Sequence, residues 1–337
     1  MKRIPSMGEI RIETKIFTFS SRVIAVLLAT LFFLPVHPSA QGPDSFPPFQ
    51  GEVRTESYRN PIVFIRTHLD EQTREPLRGG DVWVMEEDGS GLRQLTFDAN
   101  YADHPSLFSN RTHALYSEFL GEKFDRRAGA RLIKLNIYDG TRELFGEESG
   151  CALHHVSLRA KDDKIIYQHD CGNRRSQRVG WGIEGYEINM RAVNPVDLDD
   201  SVIFMNQKNP GVVPLEASLV RLYGHGPGAR AVFLTDDNHF NRRPTGSPDG
   251  EWIAYQSDAN GTDDEIFLAR VDDFHPRNIT NSPGMDGHPW FSRDGRWIVF
   301  ESDRSGSVEL WKIDLETLEQ VQITFGGKTH ISREPRW

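Results

Sequence analysis

Short runs of β-branched and aromatic residues recur along this chain, separated by polar turns rich in glycine, proline and aspartate. Trp297, Ile298, Val299 and Phe300 make one such run, suited to a buried strand. Equivalent runs fall at residues 62–64, 114–116, 165–167, 202–204 and 253–255, so the pattern predicts six like units.

The runs belong to a sequence repeat. Residues 243–257 (RPTGSPDGEWIAYQS) and 288–302 (HPWFSRDGRWIVFES) match closely at an offset of 45 residues. More degenerate copies lie at 104–117 and 155–167, and the chain ends on the fragment Glu334, Pro335, Arg336 and Trp337. In Ser247, Pro248, Asp249 and Gly250, proline presets one turn dihedral and glycine accepts the left-handed position, which closes a hairpin. A third strand is expected over 308–313 and a fourth over 320–324, ending in Thr324. The same Leu/Ile-Thr close recurs at Thr96, Thr235 and Thr280, each nine residues before a proline: Pro105, Pro244 and Pro289. Four antiparallel strands in about 45 residues is a propeller blade. The expected fold is therefore an all-β, six-bladed propeller over residues 60–337, with the C-terminal fragment supplying the inner strand of the first blade and leaving no free edge at the seam. Between residues 172 and 200 the period slips, and not every strand can be placed.

With their Pro-x-x-Ser-Pro-Asp-Gly turn and terminal Leu-Thr, these units resemble the propeller repeats of TolB, the periplasmic component of the Tol system. The resemblance runs from about residue 60 to 337 and is strongest in the last two units. It implies a propeller outside the cytoplasm that binds other proteins. The chain departs from that pattern in having no room for the separate α/β domain that precedes the propeller in TolB.

The N-terminus and the cysteines point to the same compartment. Lys2, Arg3, Arg11, Lys15 and Arg22 precede an apolar run at 23–34, followed by Pro35 and the pair Ser39-Ala40. That order is a cleavable signal peptide over residues 1–40, with Met1 or Met7 as the start, and the apolar run is too short to span a bilayer. Residues 41–59 read as a linker. The mature protein is expected to be periplasmic or secreted, monomeric and without stable membrane insertion. In an oxidising compartment the two cysteines, Cys151 and Cys171, are expected to form a disulfide across the third-blade hairpin. A net charge of −10, spread along the chain, argues against nucleic acid as a partner despite the small cluster Arg174, Arg175 and Arg178.

Alignment of the repeats brings distant residues to one position. The residue before the motif proline is His104, Arg243, His288 or Glu334, and its equivalent in the degenerate copy is His155. In a propeller these side chains converge at one mouth of the central channel, as a ligand-binding set. Three imidazoles (His104, His155 and His288) with a carboxylate are ligands suited to a divalent metal such as zinc or manganese, while polar residues also line wet channels simply to hold water. His239 and His330, at a second matching position, form a candidate outer tier. Gly180, Gly182 and Gly185 match a dinucleotide-binding pattern in letters only, since alternating residues 186–190 predict a strand where that motif needs a helix. Asp258, Asp263 and Asp264 offer oxygen ligands for calcium, or simply solvate a loop. Sequons at Asn110, Asn260 and Asn278 matter only in a eukaryotic secretory pathway. No Gly-x-Ser-x-Gly or His-Glu-x-x-His motif occurs. Two functions stay open: a non-catalytic binding or scaffold module for a protein or cell-envelope polymer, and a metal-dependent carbohydrate-active lyase or hydrolase using the channel histidines.

Overall fold

The chain divides into residues 1–43 and a compact unit of residues 44–337. A computed structural model describes residues 46–337 except 78, 98–100, 122–124, 126, 160–161, 172–173, 182–183, 188–191, 199, 208–215, 225–228, 237 and 262. The expected signal peptide and the first part of the linker lie outside the described residues.

All the regular structure described is β. β1 (Pro61–His68), β2 (Asp81–Glu86) and β3 (Arg93–Gln94) are followed by β4 (Tyr101–Leu107), β5 (His113–Phe119), β6 (Ala130–Asn136) and β7 (Arg142–Gly146). Next come β8 (Cys151–Leu158), β9 (Ile165–Cys171), β10 (Arg174–Trp181) and β11 (Glu184–Glu187), then β12 (Ala192–Asp197), β13 (Ser201–Gln207), β14 (Ala217–Tyr223) and β15 (Arg230–Phe233). The last units are β16 (Arg242–Gly246), β17 (Trp252–Ser257), β18 (Glu265–Arg270) and β19 (Arg277–Asn278), and β20 (Asp286–Phe291), β21 (Trp297–Ser302), β22 (Glu309–Asp314) and β23 (Gln320–Gln322). β24 (His330–Arg336) returns to pair with β1, giving the order β24-β1-β2-β3. The seam is thus closed by the C-terminal strand, as the truncated repeat implies.

Each group of four is an antiparallel meander, and the six second-strand runs read from sequence lie in β1, β5, β9, β13, β17 and β21. Counted as hydrogen-bonded sheets, however, there are five rather than six among the described residues. One parallel pair, Ala130 with Ala152, joins β6 to β8 and merges two four-stranded groups into one eight-stranded sheet. Small residues permit that approach: beside the alanine pair, Gly129 is left-handed, and a Cβ there would lie 3.1 Å from the Cys151 carbonyl oxygen.

The core lies between neighbouring groups. Ala254, Ile266 and Leu268 of one group pack on Phe291, Ile298, Phe300 and Ile313 of the next. At the seam, Trp337 joins Ile62, Phe64, Met85, Val299, Leu310 and Ile323.

The repeat's polar signature has a structural reason. Thr96, Thr280 and Thr324 each accept the N–H of a residue near the start of the third strand (Val82, Ile266 and Leu310) and donate Oγ1–H to an acid one residue earlier: Asp81, Glu265 and Glu309. Each threonine therefore pins the fourth strand to the third. In the hairpin turns Gly250 and Gly295 are left-handed (φ 74° and 70°), while Ser247 and Ser292 accept the N–H of Trp252 and Trp297 at 2.9 Å.

Cys151 and Cys171 stand directly opposite on β8 and β9 and form a disulfide. In the stretch where the period slips, β10 and β11 form a hairpin in which Gly180 pairs with Gly185. Gly182 and Ile183 lie outside the described residues, and among the described residues a strand, Glu184–Glu187, stands where the dinucleotide reading needs a helix.

Candidate functional site in the central channel

The inner strands share one irregularity. Their pairing with the second strands shifts register between Asp103 and Ser106, His154 and Ser157, Val193 and Val196, Arg242 and Thr245, and Gly287 and Trp290. β24 and β1 show a matching shift. At the centre of each bulge sits a left-handed residue: His104, His155, Asn194, Arg243, His288 and Glu334, with φ from 45° to 54°. A bulge leaves its extra residue outside the ladder, so a following proline, which has no N–H to donate, is tolerated inside the strand. Five of the six are followed by one (Pro105, Pro195, Pro244, Pro289 and Pro335). Proline in turn bars the right-handed helical conformation from the residue before it.

The expected set His104, His155, Arg243, His288 and Glu334 does come together. The rings of His104 and His155 have centroids 4.3 Å apart, and those of His104 and His288 5.8 Å apart. Glu334 Oε2 accepts the backbone N–H of His104 at 2.8 Å and lies 3.4 Å from its Nδ1, which is also 2.9 Å from Asp103 Oδ1. His104, His155, Asn194, Arg243 and His288, with Arg336, line a cavity of about 20 Å³. Ser157, Val196 and Trp290 continue from it into a wider funnel of about 210 Å³ beside the hairpin turn Ser247–Gly250.

A second set of residues holds the ring in place, and sequence reasoning missed it. Gln168, Gln256 and Glu301 each lie thirteen residues after a ring residue, on the paired second strand. His155 Nδ1–H donates to Gln168 Oε1 at 3.0 Å, Arg243 Nη1–H donates to Gln256 Oε1 at 2.9 Å, and His288 Nδ1 lies 2.5 Å from Glu301 Oε1. The same acceptors reach the next unit. Gln256 Oε1 takes the N–H of His288 at 3.4 Å, and Glu301 Oε1 takes the N–H of Glu334 at 2.5 Å. A bulged, buried N–H needs such a partner. Asn194 was missed as well; its Nδ2 lies 3.4 Å from His104 Nε2. Its signal is Pro195, which precedes Phe204 by nine residues where Pro289 precedes Phe300 by eleven, because the intervening hairpin is shorter.

Burial and charge set the protonation of this ring. Burial opposes ionisation of Glu301, but a hydrogen bond from His288 and the charges of Arg333 and Arg243 outweigh it and hold the carboxyl below the ordinary range. Burial, reinforced by Arg243, pushes His288 well down, so it is neutral. For Glu334 burial wins over His104 and raises the carboxyl. Burial brings the guanidiniums of Arg243 and Arg336 down to about 10, still charged near neutrality.

Ligating atoms of His104, His288 and Glu334 lie within 4.8 Å of one another, and those of Asp103, His154 and His155 form a similar group. His239 and His330 have separate neighbours: the first sits 3.5 Å from Asp258, and the second packs tilted against His68 at the seam with centroids 4.3 Å apart. Asp258 accepts the N–H of Phe240 at 2.9 Å and Asp264 pairs with Arg242, which gives both a structural use.

The fold these strands build is a β-propeller. Residues 227–337 match the family described as the TolB beta propeller domain. The structure is similar to TolB from Acinetobacter baumannii (TM-score 0.63, 14% identity, covering 84% of this chain and 67% of that one). It is also similar to the hydrazine synthase of Kuenenia stuttgartiensis (0.59, 11%, covering 85% and 47%) and to a chain of a nidogen/laminin complex (0.59, 7%, covering 82% and 97%). At such identities the likeness is one of fold. No curated protein sequence matches the chain.

Proposed function

We propose that this protein is an exported, non-catalytic binding propeller that recognises a protein or cell-envelope polymer at the funnel beside the hairpin turns. The observation that carries this reading is that four ring residues each have a polar group held against a neighbour within the ring. His155, Arg243 and His288 are each engaged by the glutamine or glutamate opposite, and Glu334 by a backbone N–H. That leaves a narrow inner cavity behind a funnel that mixes Trp290, Phe291 and Trp337 with Arg159, Asp197 and Arg293. The Cys151–Cys171 disulfide supports an oxidising compartment, and no helix among the described residues is long and apolar enough to cross a membrane.

Calorimetric titration of the purified protein with soluble envelope polymers and envelope proteins tests the reading. Saturable binding, weakened by Arg293→Glu at the funnel and accompanied by no change in polymer length, is the expected result. Chain cleavage during the titration would remove the non-catalytic part.

A second reading, a metal-dependent carbohydrate-active enzyme, is favoured by one observation, the clustering of His104, His288 and Glu334. These residues fit a zinc or manganese ion by donor type, although Arg243 beside His288 opposes a cation. Elemental analysis of protein purified without added metal decides it: one equivalent that His288→Ala removes supports a metal centre, and no metal excludes it.

A further inference from the structure

We propose that the inner cavity is a carboxylate subsite, in which the guanidiniums of Arg336 and Arg243 receive the carboxylate at the end of a ligand whose body lies in the funnel. The proposal deepens the binding-module reading and rests on it.

Arg336 is the first observation. Its side chain is buried at 7% exposure, yet its guanidinium contacts only the neighbouring Pro335 carbonyl oxygen, at 2.9 Å, and the face of Trp290, at 4.3 Å. Its Nε has no hydrogen-bond partner, and among the described residues no carboxylate lies within ion-pair distance of it. Glu334, Asp103 and Glu301 act on it only through space, and a buried cation with no ion pair in direct contact is unfavourable, so such a group is suited to take up an anion. Arg243, the second guanidinium on this cavity, is likewise bonded to a neutral group, Gln256. His288 Nε2 is buried there too and has no partner.

The nearby acids do not take the anion's place. Asp103 lies against His104, Glu301 against His288 and the Glu334 N–H, and Glu334 against the His104 N–H. None of the three lines the cavity, whose walls carry two guanidiniums, three imidazoles and the Asn194 amide. Donor geometry then selects among anions: the planar, forked N–H groups of two guanidiniums meet both oxygens of a planar carboxylate in one plane, a match a tetrahedral phosphate or sulfate does not offer. Because Trp290, Val196 and Ser157 line both spaces, the atoms that follow the carboxylate enter the funnel past the Trp290 ring. Paired guanidiniums suit this group, since each presents N–H donors in the plane a carboxylate needs.

The carboxylate has two sources, a free small acid or the C-terminus of a peptide, and one set of measurements separates them. The full chain, in EDTA, is titrated with acetate, with a tripeptide acid, with the same tripeptide as its C-terminal amide, and with inorganic phosphate, while melting temperature and heat are recorded. Both carboxylates are expected to bind saturably and raise the melting temperature; the amide and phosphate are not. A tripeptide acid that binds far more tightly than acetate identifies a chain end, and equal binding identifies a free acid. Arg336→Met is expected to abolish the response while melting at the same temperature as the parent or above it, because the substitution keeps the stem and removes the unpaired charge. Arg243→Gln, whose fold does not depend on that change, is expected to weaken binding about tenfold or more. No response to either carboxylate, an unaltered response in both variants, or binding that appears only when a divalent cation is added would overturn the proposal. Polymer or protein binding at the funnel that persists without any carboxylate response would sink this subsite alone and leave the binding-module reading standing.

Discussion

The six ring residues share a left-handed backbone that only glycine adopts at no steric cost, so the fold keeps a small strain at each inner strand in order to aim a side chain into the channel. Asn194 isolates that strain. Both Asn194→Gly and Asn194→Ala remove its amide, but only alanine keeps a Cβ at φ 52°, so the glycine variant is expected to be more stable than the alanine variant by about 1 kcal/mol in denaturant melts. Equal stabilities would mean that the bulge relaxes. At this scale the sequence told a good deal. The position before the motif proline identifies four ring members from pattern alone, and its equivalent in a degenerate copy gives a fifth, His155; the five lie together around the channel. Asn194 escaped because its hairpin is two residues shorter than that of the last unit, which moves it out of register with the other copies. Gln168, Gln256 and Glu301 stand inside the matched repeat, yet nothing in a one-dimensional pattern tells a strand residue that faces the channel bulge from one that merely alternates. Arg336 was visible as a letter, but its lack of an ion pair in direct contact is a fact of packing.

Individual strands fix two further outcomes. The disulfide ties β8 to β9 across a 20-residue separation, so replacing both cysteines by alanine should lower stability by about 3 kcal/mol in the chain-entropy estimate, read as a shift in the denaturant midpoint that added reductant does not enlarge. On the seam, burial, with Arg66 and His68 adding to it, depresses His330 to about 4, against about 6.5 in an unfolded chain. The unfolded state therefore binds more protons across that interval. Its contribution is complete at pH 6.5 and above and is lost as pH falls toward 4. The melting temperature of His330→Gln should accordingly fall less steeply over this range than that of the parent, and parallel curves would place the acid sensitivity elsewhere. Element boundaries were well marked wherever a Ser-Pro-Asp-Gly-type turn or a closing Leu/Ile-Thr supplied punctuation. They were lost between 172 and 200, where the β10–β11 hairpin carries neither signal and the strands differ in length from those of the last two units.

For the whole molecule, closure of the ring depends on its last residues. The sequence foretold this from a truncated repeat, but it did not foretell that β6 and β8 share a hydrogen bond across two four-stranded groups, since two alanines and a glycine leave no recognisable pattern. At the seam β24 covers one edge of β1 from Val63 to His68, and Trp337 fills the space among Ile62, Phe64, Met85 and Val299. These are separable roles. Trp337→Ala removes a large buried side chain but leaves the strand, and should cost about 3 kcal/mol or more without aggregation. Deleting residues 334–337 removes the indole together with the Arg336–Val63 pairing, and also takes away the carboxylate that holds the His104 N–H. It exposes the N–H and C=O groups at the start of β1, which invites pairing with another chain. The deletion is therefore expected to melt lower than Trp337→Ala and to aggregate in proportion to protein concentration, as light scattering during a thermal ramp would record. If the two variants melted together without scattering, the indole alone would carry the seam and the last strand residues would contribute nothing to closing the ring.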